Sequence, residues 1–507
     1  MQRKQLTLVI VSLLVVVLSV SLAYFTAQII GKGKDVSVTS ANLQIVFTDS
    51  DGAISGSNIE PGWSDTKTFT VENNSKSEYK YNIVIKDLLN TFVTEGYLQY
   101  KITSTNNGYN MTEFKDIPKS SVATDTILAY SVVIPNGETQ SYTIEFKYAN
   151  DESVDQSDDM GKKLSGTLFI TEGIEDPNKT LLTQLLVDKS TKLTRTDFST
   201  VLTTDNTNTL YTSTEDSKTV YYFAGNATDN WVKFGKNASN QDLYWRIIRT
   251  NSDGGVRLLY HGTSTTATDA VINASTKFNE KYNDPMYVGY MYGTSNATSI
   301  DRTNTNNSTI KGIIDTWYEN NLKTNYTKYL STTAVYCNDR SVTSGTYSVS
   351  SSFNYAAYTR LGTNKTPTYD CTDTNDKFTV DTSTGNGKLT YPIALMTADE
   401  VSFAGGLYGN NAQTWYYYNS AKGSSTGSTW WWLLSPYRWD GSYALVFYVF
   451  GSSNPGSLGS NSVYTFGVRP AVSLKSCVKT SGGDGSASTP YTIEETETGC
   501  WYEIVTN

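Results

Sequence analysis

The chain has 507 residues, a formal net charge of −9 and a sequence pI of about 4.9. At roughly 150 residues per domain this length implies about three units, and the acidic balance excludes nucleic-acid binding, which needs a basic face to displace counterions. A single histidine, His261, excludes H-E-x-x-H and multi-histidine zinc sites. A Ser-His-Asp triad would have to run through it, and there is no G-x-S-x-G elbow. His261 ends an apolar strand and reads as a structural residue. Aromatics are abundant (Tyr 37, Trp 10, Phe 17) among many Ser, Thr, Asn and Gly residues. That mixture is the chemistry of binding loops, although an AT-rich genome encoding a β-rich exported protein yields it too.

In chain order, the first element is an export signal or membrane anchor over residues 1–30. Arg3 and Lys4 precede an apolar and small-residue run from Leu6 to Leu22, and Ser21-Leu22-Ala23 fits a small-x-small cleavage site. An uncleaved span reaching Ile30 is the alternative. Either reading places the rest of the chain at the cell surface or outside the cell.

Residues 35–172 carry short alternating or clustered apolar runs: Leu43 to Phe47, Thr68 to Val71, Tyr81 to Ile85, Leu128 to Ile134, Tyr142 to Phe146 and Leu168 to Ile170. Pro61-Gly62 and Pro135-Asn136-Gly137 separate them. The pattern predicts an all-β sandwich. Asp49-Ser50-Asp51-Gly52 with Glu60 approaches a calcium loop but places Ile54 where glycine is required. The hydrophobic run into Ala23-Tyr24-Phe25-Thr26, with Pro61-Gly62, Val71-Glu72-Asn73-Asn74-Ser75 and Ile134-Pro135-Asn136-Gly137, resembles camelysin and TasA-type exported proteins of Gram-positive bacteria. That resemblance implies a jelly-roll-like domain and association with a fibre or matrix.

Residues 173–219 read as a linker with a short helix. Asp176-Pro177-Asn178 stops the strand pattern. Leu181, Leu182, Leu185 and Leu186 form one apolar stripe, and a Thr- and Asp-rich stretch follows from Ser190 to Lys218.

Residues 220–507 read as an α+β unit. Tyr244 to Arg249 and Val256 to Tyr260 flank Asn251-Ser252-Asp253-Gly254-Gly255, a hairpin signal. Ile310, Ile313, Ile314, Trp317 and Leu322 recur at helical spacing behind Ser308 or Thr309 as cap. Thr397-Ala398-Asp399-Glu400 is a capping box, with Gly405-Gly406 as its stop. Strands are expected at Trp430 to Leu434, Tyr443 to Phe450 and Gly467 to Leu474. The four cysteines, Cys337, Cys371, Cys477 and Cys500, contain no C-x-x-C pair. Three disulfide connectivities are open, and the sequential pairs Cys337–Cys371 and Cys477–Cys500 are favoured; free thiols are the alternative.

Leu395-Met396-Thr397-Ala398-Asp399-Glu400-Val401 resembles the helix start of formylglycine-generating-enzyme-like domains, and Gly467-Val468-Arg469-Pro470-Ala471-Val472 resembles their closing strand. Trp431-Trp432-Leu433-Leu434-Ser435-Pro436 followed by that strand is similar to the variable proteins of diversity-generating retroelements. Cys337-Asn338-Asp339-Arg340-Ser341 and Tyr391-Pro392-Ile393 are similar to blocks in their Gram-positive members. The resemblance covers most of Val220 to Lys475 and implies a C-type lectin-like fold carrying a diversified ligand-binding face.

Tyr437 to Phe466 contains no Lys, Gln, Glu or Met. Adenine randomisation of Asn codons, the mechanism the resemblance implies, cannot produce those four residues at the randomised positions. Tyr437, Arg438, Asp440, Tyr443, Leu445, Tyr448, Phe450, Tyr464, Thr465 and Phe466 fit the reachable set and are expected together on one exposed face. Ala444, Val446, Phe447 and Val449 are expected as the fixed framework between them. A β-rich loop region that merely lacks long polar residues is the plain alternative. The expectation is therefore a surface-displayed, adhesin-like binding protein and not an enzyme, with no catalytic residue, metal or cofactor. Its partner would be an extracellular protein or cell-surface ligand. A structural matrix or fibre subunit is the alternative. An oxidase of the formylglycine-generating type is the third reading, and it would need a copper-binding cysteine pair. The E-P-N and W-N-D patterns of calcium-dependent sugar binding are absent, so a lectin-like fold does not imply carbohydrate.

Overall fold

The computed structural model describes the chain except residues 1–35, 39–42, 48–51, 56–58, 112, 175, 177–178, 268–269, 410–429, 451–456, 462 and 501–507. The expected export segment and the residues 49–51 of the calcium-like loop lie outside the described residues. Among the described residues no helix is long and apolar enough to cross a membrane. The chain is rich in β-structure, 40% strand against 12% helix, and among the described residues none of its several sheets is closed. It divides into two units at Pro177 and Asn178.

The first unit is antiparallel throughout. Ser64–Asn73 pairs with Leu43–Phe47 on one side and Thr139–Tyr148 on the other, and Leu98–Ser104 follows in the same sheet. Leu164–Glu172, Tyr79–Asn90 and Ser120–Ile134 form most of a second sheet. The alternation read from the sequence sets which side chains enter the core. Along Thr139–Tyr148, Gln140, Tyr142, Ile144, Phe146 and Tyr148 are buried and their neighbours are not. Both sheets contribute to one hydrophobic cluster containing Phe69, Ile83, Ile102, Leu128, Ile144 and Leu168.

The second unit begins earlier than the sequence suggested. Most of the stretch read as a linker, from Asn178 onward, belongs to its fold. Leu181–Asp188 is a helix capped by Thr180, with Leu181 and Leu185 buried and Leu182 and Leu186 packed at the edge of the same core. Thr191–Thr194 runs parallel to Thr209–Glu215, which pairs with Lys218–Tyr222. These Thr-rich strands lie at the margin of a large sheet, so their outward residues need no apolar side chain, and composition alone cannot separate them from a loop.

The rest of that sheet joins strands that are mostly far apart in sequence. Asp242–Thr250 and Val256–Gly262 form the expected hairpin. The Val256–Gly262 strand then pairs with Pro470–Leu474, Leu258 opposite Val472, and Pro470–Leu474 also pairs with Ile393–Leu395. Tyr491–Ile493 runs parallel to Trp231–Lys236. The Thr309–Asn321 helix starts at Ser308, whose hydroxyl accepts the Lys311 N–H, and buries Ile310, Ile314 and Tyr318. The Ala398–Phe403 helix carries the full capping box of Thr397 and Glu400. Both expected disulfides are present, Cys337–Cys371 and Cys477–Cys500, with Cα–Cα distances of 5.7 and 5.3 Å.

Candidate functional site

The segment expected to carry function is built on the antiparallel hairpin of Trp431–Trp439 and Ala444–Val449, turned by residues 440–443. Its framework is buried: Ala444, Val446, Phe447 and Val449 are each at most 2% exposed, as are Trp431, Trp432, Leu433 and Leu434. Trp431 lies opposite Val449 at one end of the ladder and Trp439 opposite Ala444 at the other. Along the Ala444–Val449 strand, at about 3.3 Å per residue, the two ends are roughly 17 Å apart.

The ten candidate residues do not share one face. They fall into three groups, because successive side chains of a strand point to opposite sides and because the hairpin has two ends. At the turn, Arg438 and Tyr443 are exposed, and Asp440 and Leu445 are partly exposed. Arg438 lies opposite Leu445. Asp440 Oδ1 accepts the backbone N–H groups of Ser442 (2.8 Å) and Tyr443 (2.7 Å), an Asx-type turn that holds Tyr443 outward. The Tyr443 ring lies 5.5 Å from that of Tyr282.

At the opposite end, Tyr448, Phe450 and Phe466 gather with Trp430 and Trp432. Tyr448 stacks on Trp430 at 5.6 Å, and Phe466 packs 4.6 Å from Trp432. Tyr448 and Phe466 are each 6% exposed, so the expectation that they stand in solvent is corrected. Both faces of the Ala444–Val449 strand are covered, which removes the solvent side that the sequence reading assumed. Burial pushes the Tyr448 hydroxyl up to about 12, with Tyr408 adding to it. Phe450 is partly exposed, and Tyr464 and Thr465 are exposed. The Thr465 hydroxyl accepts from Ser275 at 2.7 Å.

Tyr437 forms the third group and is likewise corrected to a buried position. Its ring lies 4.8 Å from Tyr358 and 5.1 Å from Phe447, and its hydroxyl bonds that of Tyr408 at 2.8 Å. Burial raises its pKa, and the Tyr408 contact raises it further.

A buried ionic network was not foreseen. Glu400 Oε1 accepts Arg249 Nε at 2.9 Å and an Arg257 guanidinium nitrogen at 2.7 Å, while Oε2 accepts the Thr397 backbone N–H at 3.0 Å. Arg249 also pairs with Glu215 at 2.8 Å. Burial alone would raise the Glu400 carboxyl, but Arg257 and Arg249 outweigh it and hold the group below its ordinary range. Beside it, Arg360 bridges Asp399 (2.7 Å) and Asp339 (3.0 Å). The cavity among these groups is about 20 Å³, room for one water and too small for an organic substrate. The capping box was the only legible sign of this network. Its Glu400 serves both the helix start and two arginines from strands distant in sequence.

His261 is fully buried, with Nδ1 3.2 Å from an Arg469 guanidinium nitrogen and its ring edge-on to Trp231. It ties the closing strand to the Val256–Gly262 strand. All four cysteines lie in the two disulfides. The chain matches no protein-family model, and no curated protein matches it.

Proposed function

We propose that the protein is an exported, surface-displayed binding protein whose second unit is a C-type lectin-like domain of the retroelement-diversified kind. Its first unit, jelly-roll-like, acts as the stalk or matrix-associated part. The carrying observation is the contrast within one short segment. Arg438, Tyr443, Tyr464 and Thr465 are exposed, while Ala444, Val446, Phe447 and Val449 are buried in the hairpin. A rigid scaffold presenting tyrosines and a cation is the chemistry of binding hot spots. The strand pairing that joins Val256–Gly262, Pro470–Leu474 and Ile393–Leu395 supports the lectin-like reading, since it brings distant parts of the unit into one sheet. Enclosure of all four cysteines in disulfides favours binding over a copper-dependent oxidase, and disulfides suit an extracellular location. The partner is an extracellular protein or cell-surface ligand.

The test needs no known ligand. Codons 438, 443, 464 and 465 are randomised in one displayed library and codons 444, 446, 447 and 449 in another, and folded clones are counted with a conformation-sensitive protease. Most clones of the first library should survive and few of the second. Equal losses in both would refute replaceable surface positions on a fixed framework. A reverse transcriptase gene beside a near-copy of the codons for Trp431 to Arg469 would tie that tolerance to diversification.

A further inference from the structure

Lys189 is the C-cap of the Leu181–Asp188 helix and is 1% exposed. Its Nζ lies 2.9 Å from Asp229 Oδ2 and 3.0 Å from the Asp484 carbonyl oxygen, with the Tyr491 ring at 5.3 Å. Asp229 is 5% exposed, and its two oxygens differ. Oδ2 also accepts the Asn208 backbone N–H at 2.7 Å, whereas Oδ1 is buried and has no hydrogen-bond partner among the described residues. A bare carboxylate oxygen is a costly feature for a permanent buried ion pair. An oxygen held by no donor can take up protons and leave, as a condensation needs.

We propose that Lys189 and Asp229 become joined by an intramolecular amide bond between Lys189 Nζ and Asp229 Cγ, formed within the folded unit. As the carboxyl group turns toward the amine, the first proton passes from Nζ to Oδ1, leaving a neutral amine and a carboxylic acid with its hydroxyl at Oδ1. The Nζ lone pair then attacks Cγ, and charge develops on Oδ2, where the Asn208 N–H stabilises it. A second Nζ proton goes to Oδ1, the Cγ–Oδ1 bond breaks, and Oδ1 leaves as water. The Nζ–Cγ bond replaces it, Oδ2 becomes the amide carbonyl, and the remaining Nζ proton is directed at the Asp484 carbonyl oxygen. No oxidant or co-reactant enters.

The neighbouring lysine is not arranged for this step. Lys192 Nζ faces the carbonyl oxygens of Leu186 and Lys189. Packing around the pair is close: Gly485 sits at φ +81, and a Cβ there would come within 2.3 Å of the Asp229 carbonyl oxygen. The Tyr491 hydroxyl donates to Asp188 at 2.9 Å, adding a second carboxylate to the cluster. The bond would fasten the helix at the start of the second unit to the loop before Trp231–Lys236. It would thereby enclose the marginal strands between them.

Peptide mass spectrometry of the folded full-length protein distinguishes the amide from the ion pair. After denaturation, reduction, alkylation and trypsin, the expected product is a branched peptide joining the segments around Lys189 and Asp229. It should be lighter than their sum by one water, with no cleavage after Lys189. Lys189→Arg and Asp229→Ala should lack it and Lys192→Arg should keep it. Asp229→Asn should give the same linked product with loss of ammonia instead. Linear peptides ending at Lys189, recovered together with an unmodified Asp229 peptide from folded wild-type protein, would overturn the proposal and leave an ion pair. The wild-type digest alone separates these two outcomes, so a variant that fails to fold does not blunt the test. The outcome is also independent of the binding function proposed above.

Discussion

Tyr448 lies directly across the β-ladder from Trp432, and its ring packs against Phe466 with centroids 4.4 Å apart. A tyrosine placed this way supports the hairpin more than it serves a ligand. Tyr448→Ala should therefore cost about 3–5 kcal/mol in urea unfolding, the range for truncating a buried aromatic. Tyr443→Ala, at a position 42% exposed, should stay within about 0.5 kcal/mol of wild type. Comparable losses for both would mean that the turn, too, is structural.

Glu400 should be the most sensitive carboxylate of the second unit. Glu400→Gln leaves Arg257 without its carboxylate and Arg249 with Glu215 alone, a loss of about 3–5 kcal/mol for a broken buried pair. The folded-state pKa of Glu400 lies below its ordinary value of 4.5. The stability it contributes is thus present above pH 4.5 and is lost as pH falls through the lower, folded-state value. Glu215 is depressed in the same direction, because Arg249 outweighs the effect of burial. Urea titrations on either side of pH 4.5 should show the wild type losing stability toward acid more steeply than the Glu400→Gln variant.

Removing the Cys337–Cys371 bridge by serine substitution should lower stability by about 3–4 kcal/mol, the chain-entropy expectation for its separation of 34 residues. Cys477–Cys500, spanning 23 residues, should contribute nearly as much. Thermal melts of each double-serine variant, with and without reductant, check this. Loss of the reductant effect on removing a single bridge would show that the other bridge contributes nothing.

Gly405 ends the Ala398–Phe403 helix at φ +116, and a Cβ there would stand 2.4 Å from the Leu202 carbonyl oxygen. Gly405→Ala should destabilise the unit on both counts, by more than the roughly 1 kcal/mol that backbone conformation alone accounts for. Gly312 lies in a helix, and a Cβ added there meets nothing within 4 Å. Gly312→Ala should raise stability by about 0.5–1 kcal/mol. Melting temperatures of the two variants should move in opposite directions.

Local signals in the sequence determined much of this architecture. The alternation of Tyr142, Ile144 and Phe146 is a local period, and so is the spacing of Ile310 and Ile314. The capping box of Thr397 and Glu400 and the hairpin glycines around Asn251 are short-range chemistry. These features need no knowledge of distant residues, so they were legible. The framework of Ala444, Val446, Phe447 and Val449 was read from the resemblance and not from a period, since Val446 and Phe447 point to opposite faces of the strand. What covers each face of that strand was not legible. Tyr437, Tyr448 and Phe466 read as surface residues because an aromatic side chain looks alike in a binding loop and in a core. Only the approach of Trp430, Trp432, Tyr358 and Tyr408 buries them. Tertiary structure alone also decided that Thr191–Thr194 and Thr209–Glu215 are strands, since a sheet margin imposes no apolar pattern. The gathering of Arg249, Arg257 and Glu400, and of Lys189 and Asp229, has the same origin. A charged residue bears no mark in sequence of whether water or a distant partner will solvate it, and long-range strand pairing settles which.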